Sequence, residues 1–465
     1  MSAPAKIAAS RLAEIVGEQY CSCEPAELAA FQCGGVVPSG MARPGSAEEV
    51  AELIRFAGAE NLAAIATGAR TKLDMGLPPS RYDIAIDMTR LNRVAAYDPG
   101  DLTLGVEPGC GLAKLQSVLV EHRQFLPLAV PYFRRATIGG TIATGVDSPL
   151  RQLFGTARDF ILGMEFVTGE GVAAKSGGRV VKNVTGYDLH KLMIGALGTL
   201  GIMTKINFRT FPVPEESRAY AARFESSKGA FELCDRVAES PLRPSTMEIF
   251  SPQAARMFGS EAAARFERTP LPADLFSGAQ WAFTSGFAGN KAVLARYERD
   301  FRDMAEKCGA VGMTVLAQKQ IAGAFGRKRE FIPIALESSA ATTILKLSVL
   351  PRKMNDAVTS AGRLADENGL RWAAMARGVG VIYFALLPEA RNENARARVA
   401  AIAAKTMASI AEMDGHATIP WCPTEWKSSL PVWGFAPPDF PQMAKLKKLF
   451  DPRGVLAPGR FVGGL

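Results

Sequence analysis

Apolar and polar positions alternate along this chain in two successive rhythms. As far as Phe211, short strand-like runs trade places with amphipathic helical stretches. Ser46 and Glu49 form a capping box, after which Val50, Leu53, Ile54 and Ala57 recur at helical spacing. Residues 62–68 read as a short strand running into a loop, 83–87 and 102–106 as further strands, and 111–123 as an amphipathic helix. A strand is predicted over Ile161 to Val167. The Pro212-Val213-Pro214 segment marks a boundary, because proline interrupts both ladders and helices. Beyond it the order is strand-like 220–224, helical 228–238, strand-like 246–250, strand-like 281–287 and helical 292–307. That rhythm predicts an antiparallel sheet covered by helices on one side. A short helix and a closing tail follow from about Gln442. No internal repeat or low-complexity block stands out. The pattern divides the chain into a helical lead-in (1–35), a first domain (36–213), a second domain (214–440) and a closing segment (441–465).

Composition narrows the class. A chain of 465 residues is too long for one core, and 48% hydrophobic with 22% charged residues is ordinary for a globular protein. No window approaches the run of roughly 18 apolar residues that a membrane span needs. The first residues are broken by charges and carry no apolar core of a secretory leader, which predicts a cytoplasmic protein. The net charge of +8 comes without a run of five like charges or interleaved basic and aromatic residues, which argues against nucleic-acid binding. A mild positive potential does favour a small carboxylate or a pyrophosphate. Seven cysteines, an odd and scattered number, argue against a disulfide framework. Cys21, Cys23 and Cys33 lack a fourth nearby ligand, so no metal is expected there.

Glycine carries the chemical signal. Of 44 glycines, 13 fall between Arg135 and Gly201, about twice the average density, and they alternate with strand-like runs. Such segments bring backbone N–H groups close to a phosphate-bearing ligand. The first is Ala66 to Gly76, where Thr67 and Thr71 add hydroxyl donors; the second is Arg135 to Gly145, RATIGGTIATG; the third is Gly178 to Ile206. Rival nucleotide motifs are missing: there is no G-x-x-x-x-G-K-[ST], and Gly109-Cys110-Gly111 is followed by Lys114 where a dinucleotide fingerprint needs Gly or Ala.

These segments resemble the FAD-binding oxidoreductases of the vanillyl-alcohol oxidase, or PCMH, type, in the branch that includes D-lactate dehydrogenase and glycolate oxidase. Gly195 to Met203, GALGTLGIM, is similar to the GlcE-type subunits of glycolate oxidase, and the final FDPRGVLAPGRFVGGL is a further mark of the family. The resemblance implies an α+β fold, with a two-part FAD-binding domain followed by a ferredoxin-like substrate or cap domain. It implies FAD contacts at Thr67, Gly68, Ala69, Arg70, Thr71 and Lys72, at Ala136, Thr137, Ile138, Gly139, Gly140, Ala143, Thr144 and Gly145, and at Asp159, Val180, Lys182, Asn183, Gly201, Ile202 and Arg460. Ala69 and Arg70 stand where the family usually has glycines. With three histidines, none of them among these expected contacts, FAD is expected to be held non-covalently. Tyr187 is expected to pack.

On the substrate side, Gly326 to Leu336 and Lys346 to Pro351 are similar to the family's Arg-Glu helix and Lys-containing strand, so Arg329 and Lys346 would grip a carboxylate. Catalytic relatives carry H-x-G-D-G-N-x-H and later G-E-H-G. Here the first reads Ala376 to Tyr383 with only its glycines left, and the second is absent, so no metal site is expected. The resemblance therefore implies a flavin subunit acting on a small 2-hydroxy acid beside a second flavin subunit and an iron–sulfur subunit, peripheral at the inner membrane through those partners. Two alternatives stay open: a self-sufficient 2-hydroxy-acid dehydrogenase with Tyr383 or His416 as base, and an assembly subunit that keeps the fold alone.

Overall fold

Ser46 starts the helix Ala47–Ala59 by accepting from the Glu49 amide, and Val50, Leu53, Ile54 and Ala57 turn inward. The Glu49 carboxylate accepts from the Gly45 amide, one residue upstream of the box expected. In this computed structural model, which describes residues 9–179, 186–269, 271–272, 275–276, 280–316 and 318–465, that helix packs on a four-stranded sheet. The sheet runs Cys21–Ser22, Gly40–Ala42, Ile84–Asp87, Ala64–Thr67, its last three strands parallel. The lead-in is thus built into the sheet through Cys21–Ser22, and Leu12 and Val16 of the helix Ala9–Val16 join its core.

A second, antiparallel sheet follows in the order Val94–Asp98, Thr103–Val106, Ile202–Arg209, Ile161–Val167, Ala173–Gly177. The helix Leu112–Glu121 covers it with Leu112, Leu115 and Leu119. The two sheets are the two α+β halves of the first domain.

The second domain is one eight-stranded antiparallel sheet: Gly312–Leu316, Glu216–Phe224, Trp281–Gly289, Pro244–Phe250, Arg371–Arg377, Val381–Leu387, Thr343–Ser348, His416–Trp421. Along the chain it is two βαββαβ units, each ferredoxin-like, joined edge to edge where Glu248, Ile249 and Phe250 pair with Arg377, Ala376 and Met375. The repeat that the sequence hides is therefore present in the fold. The helices Ser227–Glu239, Lys291–Lys307, Met354–Glu367 and Glu393–Glu412 cover one face, as predicted. The other face is covered as well, by Pro252–Gly259, Glu261–Phe266, Gln318–Arg329 and Phe331–Glu337, which corrects the one-sided reading. The physical reason is visible in the strand 381–387, VIYFALL, all of it buried: an unbroken apolar run needs cover on both sides.

The tail closes the molecule. The Ala64 amide donates to Val455 O and the Ala457 amide to Ala64 O, so residues 455–457 extend the first sheet. Lys447 Nζ, buried, donates to Thr199 O (2.8 Å), Leu456 O (2.8 Å) and Asp451 Oδ2 (2.6 Å). Asp451 also accepts from the Val455 and Leu456 amides. Asp451→Ala would strand a buried ammonium and two amides, and we expect it to cost about 3–5 kcal/mol. Thermal unfolding checks this: a melting temperature equal to the parent's would show that the clamp carries no stability.

Candidate functional site

Three backbone segments meet between the two halves of the first domain. The strand Ala64–Thr67 ends at Gly68, and a side chain there would place its Cβ 2.2 Å from Thr137 Oγ1, so glycine is required for this approach. Thr137 caps the helix Ile138–Thr144 through the Gly140 amide. The third segment docks on that helix: the Gly195 amide donates to Ile142 O (2.9 Å) and the Leu197 amide to Ala143 O (2.8 Å). Between them runs a groove with two lobes, which share Thr67, Gly68, Thr137, Gly140, Ala143 and Leu197. Gly198 lies on its floor at φ +75°, and no atom lies within 4 Å of where its Cβ would stand.

The first loop is an anion cradle by its hydrogen-bond accounting. Among the described residues, nothing accepts from the amides of Gly68, Ala69, Arg70, Thr71 or Lys72. Five consecutive amides without a protein acceptor, along a loop that lines the groove, fit a phosphate-bearing ligand. Arg70 takes φ +59°, a conformation normally left to glycine. Its guanidinium is drawn outward, 4.5 Å over the Phe31 ring and 3.9 Å from Asp87, which leaves the loop's amides uncovered. Lys72 turns inward and is buried, its Nζ 3.4 Å from Thr71 Oγ1 and, among the described residues, without an acid at ion-pair distance. Burial pulls its pKa down to about 8, with Glu330 opposing the shift. Arg460 donates to Leu73 O and Met75 O (2.7 Å), holding the loop's far side while lining the groove.

Beyond the end of the helix Ile138–Thr144 opens a second cavity, whose wall includes Thr144, Gly145, Asp147, Arg151, Arg158 and Lys346. Asp147 accepts from buried Arg377 at 2.6 Å and from Arg151 at 3.5 Å. Lys346 has no acid within 4 Å among the described residues; burial lowers its pKa, and Asp147 opposes this. Its neighbour in register, Tyr383, is fully buried, and burial pushes its phenol up.

Residues 38–177 match the FAD binding domain family, and residues 213–419 match the C-terminal domain of FAD linked oxidases. The chain belongs to the FAD-linked oxidases. This FAD-linked oxidase is 24% identical over 426 residues to glycolate oxidase subunit GlcD of Bacillus subtilis, covering 91% of this chain and 89% of that one. It is 31% identical over 216 residues to glycolate oxidase subunit GlcE of Escherichia coli, a match spanning 46% of this chain and 61% of that relative. The solved structures of 4-ethylphenol oxidase from Gulosibacter chungangensis (TM-score 0.75, 16% identity, 97% and 96% covered) and of p-cresol methylhydroxylase (TM-score 0.76, 17% identity, 97% and 95% covered) share its fold. Its cofactor is FAD, and it is an FAD-dependent oxidoreductase with the PCMH-type α+β fold. No helix of the described residues is long and apolar enough to cross a membrane.

The expected contact residues divide cleanly in this FAD-linked oxidase. Thr67 to Lys72, Thr137, Gly139, Gly140, Ala143, Thr144, Gly201, Ile202 and Arg460 line the groove, and Gly145 lines the adjoining cavity. Ala136 and Ile138 instead pack into the core behind it, with the Ile138 amide donating to Cys110 O. Asp159 caps its own short helix, accepting from the amide and hydroxyl of Thr156. Val180, Lys182 and Asn183 lie outside the described residues. Tyr187 does not pack: it is 89% exposed. Arg329 is separated from Lys346; it lies 4.2 Å over the Phe133 ring and donates to Glu330, which accepts from the Tyr132 and Phe133 amides. Asp147 and Arg377 escaped the sequence reading, because their partnership spans 230 positions. Among the described residues no group of three His, Cys, Asp or Glu side chains could hold a metal ion.

Lys72 generates a test with a definite sign. In the cofactor-free protein its charge is present below about pH 8 and lost above it. A bound phosphate favours the charged form, so FAD affinity should fall as pH rises from 8 towards 10, by up to about tenfold per pH unit. Lys72→Met should weaken FAD binding and flatten that profile. Titration of apoprotein with FAD at several pH values, followed by flavin fluorescence, measures both; an unchanged slope in the variant would remove Lys72 from the site.

Proposed function

We propose that this protein is the FAD-containing subunit of a glycolate oxidase-like complex that converts a small 2-hydroxy acid to the 2-oxo acid. Supporting this, the sequence is similar to both GlcD and GlcE and also, at 24% identity over 427 residues, to the D-lactate dehydrogenase of Archaeoglobus fulgidus. The observation that carries the reading is the junction of groove and cavity. Thr144 lies on the wall of both, so the cavity that Lys346 lines, with no acid at ion-pair distance among the described residues, adjoins the cofactor groove. When bound, FAD supplies the acceptor for the C2 hydrogen and its electron pair. The chain's own part is to hold the carboxylate, keep C2 towards the groove and exclude water.

The hydroxyl proton needs a base, and here the structure favours division of labour. Tyr383, fully buried with its pKa raised, stays a neutral phenol and cannot accept the proton. A second flavin subunit, with an iron–sulfur subunit to pass electrons on, would supply what this chain lacks. The self-sufficient reading keeps one specific observation, His416. It pairs in register with Ser348 on the strand that carries Lys346, and burial together with Lys346 lowers its pKa, leaving it neutral at neutral pH. The reading as an assembly protein without cofactor is disfavoured by the free amides of the first loop and the open floor at Gly198.

Anaerobic mixing of the purified flavoprotein with glycolate or D-lactate decides between the two readings. The subunit reading expects little bleaching of the visible flavin absorbance until the partner flavin subunit is added. If the isolated chain is bleached in one turnover, the self-sufficient reading stands. Its rate should then be lost only at acid pH, where His416 becomes protonated, and should drop at least 100-fold in His416→Asn.

A further inference from the structure

Among the described residues four lysines are buried, and three of them are saturated by the protein itself. Lys447 has three oxygen acceptors, Lys427 is held by Asp74 O and Gly76 O, and Lys328 lies 2.6 Å from Glu248 and donates to Thr284. Lys72 faces the cofactor groove. Lys346, half-buried, has no acid within 4 Å among the described residues and borders the cavity beyond the helix Ile138–Thr144. A buried charge without a partner is costly, and the protein avoids that cost at the three structural lysines.

The charges around the cavity are unbalanced. Arg151, Arg158 and Lys346 line it against one acid, Asp147, which Arg377 reaches from behind; Arg158 is exposed and donates to Lys191 O. Arg377 is spoken for: it is buried, donates to Asp147 at 2.6 Å, and lies 5.2 Å over the Tyr383 ring. Arg151 is held only at 3.5 Å by the other oxygen of that carboxylate, and about a third of its side chain is exposed towards the cavity it lines. Arg329, the arginine that the sequence paired with Lys346, is engaged elsewhere with Glu330 and Phe133.

We propose that Arg151 of the first domain and Lys346 of the second together form the carboxylate-binding pair of this cavity, in place of Arg329. The guanidinium offers a planar fork and the ammonium a point charge, a combination suited to a planar carboxylate. The two cations come from different domains, so the grip exists only where both domains meet. The proposal depends on the 2-hydroxy-acid reading for the identity of the ligand, not for the existence of the anion site.

Oxalate separates the two questions, because it carries the carboxylate and has no C–H bond to oxidise. The experiment titrates FAD-loaded protein with oxalate and follows the perturbation of the flavin spectrum. We expect saturable binding, weakened roughly tenfold or more in Arg151→Gln and in Lys346→Gln, with FAD content unchanged. Arg151→Lys should recover part of the affinity, and Arg329→Gln should leave it within about twofold. Inorganic phosphate at the same concentrations should compete poorly; tighter binding of phosphate than of oxalate would overturn the carboxylate assignment. Parental affinity in Arg151→Gln, loss in Arg329→Gln alone, or no oxalate binding by the parent would each overturn the pair. Should Arg151→Gln not retain FAD, the Arg151→Lys variant decides by the same titration: an affinity equal to the parent's would overturn the planar-fork role. Oxalate binding without any bleaching by hydroxy acids, even with the partner flavin subunit present, would leave this site standing and remove only the oxidation reading.

Discussion

Burying a positive charge without a counter-charge is the constraint on which this site depends. An ammonium taken from water loses its hydration and must find oxygen ligands or give up its proton. Lys328, Lys427 and Lys447 find them and work as clamps between segments distant in sequence. Lys72, with Thr71 Oγ1 at 3.4 Å, and half-buried Lys346 have no acid at ion-pair distance among the described residues, and both border space. The two are divided by one short helix, Ile138–Thr144, whose beginning lines the groove and whose end lines the cavity. The helix thus separates a place for a phosphate-bearing cofactor from a place for a small acid.

The groove was legible in the sequence because it is made of backbone. A loop that turns its amides to a ligand, and lets another segment approach as Thr137 approaches Gly68, requires glycine at particular positions. Glycine spacing is a local record that survives without an alignment. Even the departure at Arg70 has a local cause: its positive φ persists because Phe31 and Asp87 hold the guanidinium outside the loop. Ala136 and Ile138 were expected in the groove because they belong to the same run. The helix that begins after Thr137 points their side chains into the core instead.

The cavity was much less legible, because its charged groups meet through tertiary contacts. Arg329 and Glu330 form a recognisable pair, yet Glu330 is turned to the Tyr132 and Phe133 amides and Arg329 follows it. Nothing local announces that Asp147 will meet Arg377. The second helical layer of the eight-stranded sheet was hidden for a related reason. A short apolar strand such as Val381–Leu387 looks the same whether one face or both are covered, until its length and lack of alternation are weighed together.

The Asp147–Arg377 contact also constrains how a ligand can enter. Both groups are buried, and each comes from a different domain. Swinging the domains apart would expose or strand two charges that now neutralise each other at 2.6 Å, and breaking such a pair is far costlier than rearranging a surface ion pair. Glu330 adds a second tie by accepting from the two amides of the first domain's Tyr132 and Phe133. Entry by domain opening is therefore expensive, whereas a small acid that reaches Arg151 and Lys346 through the cavity needs no change in how the two domains are joined.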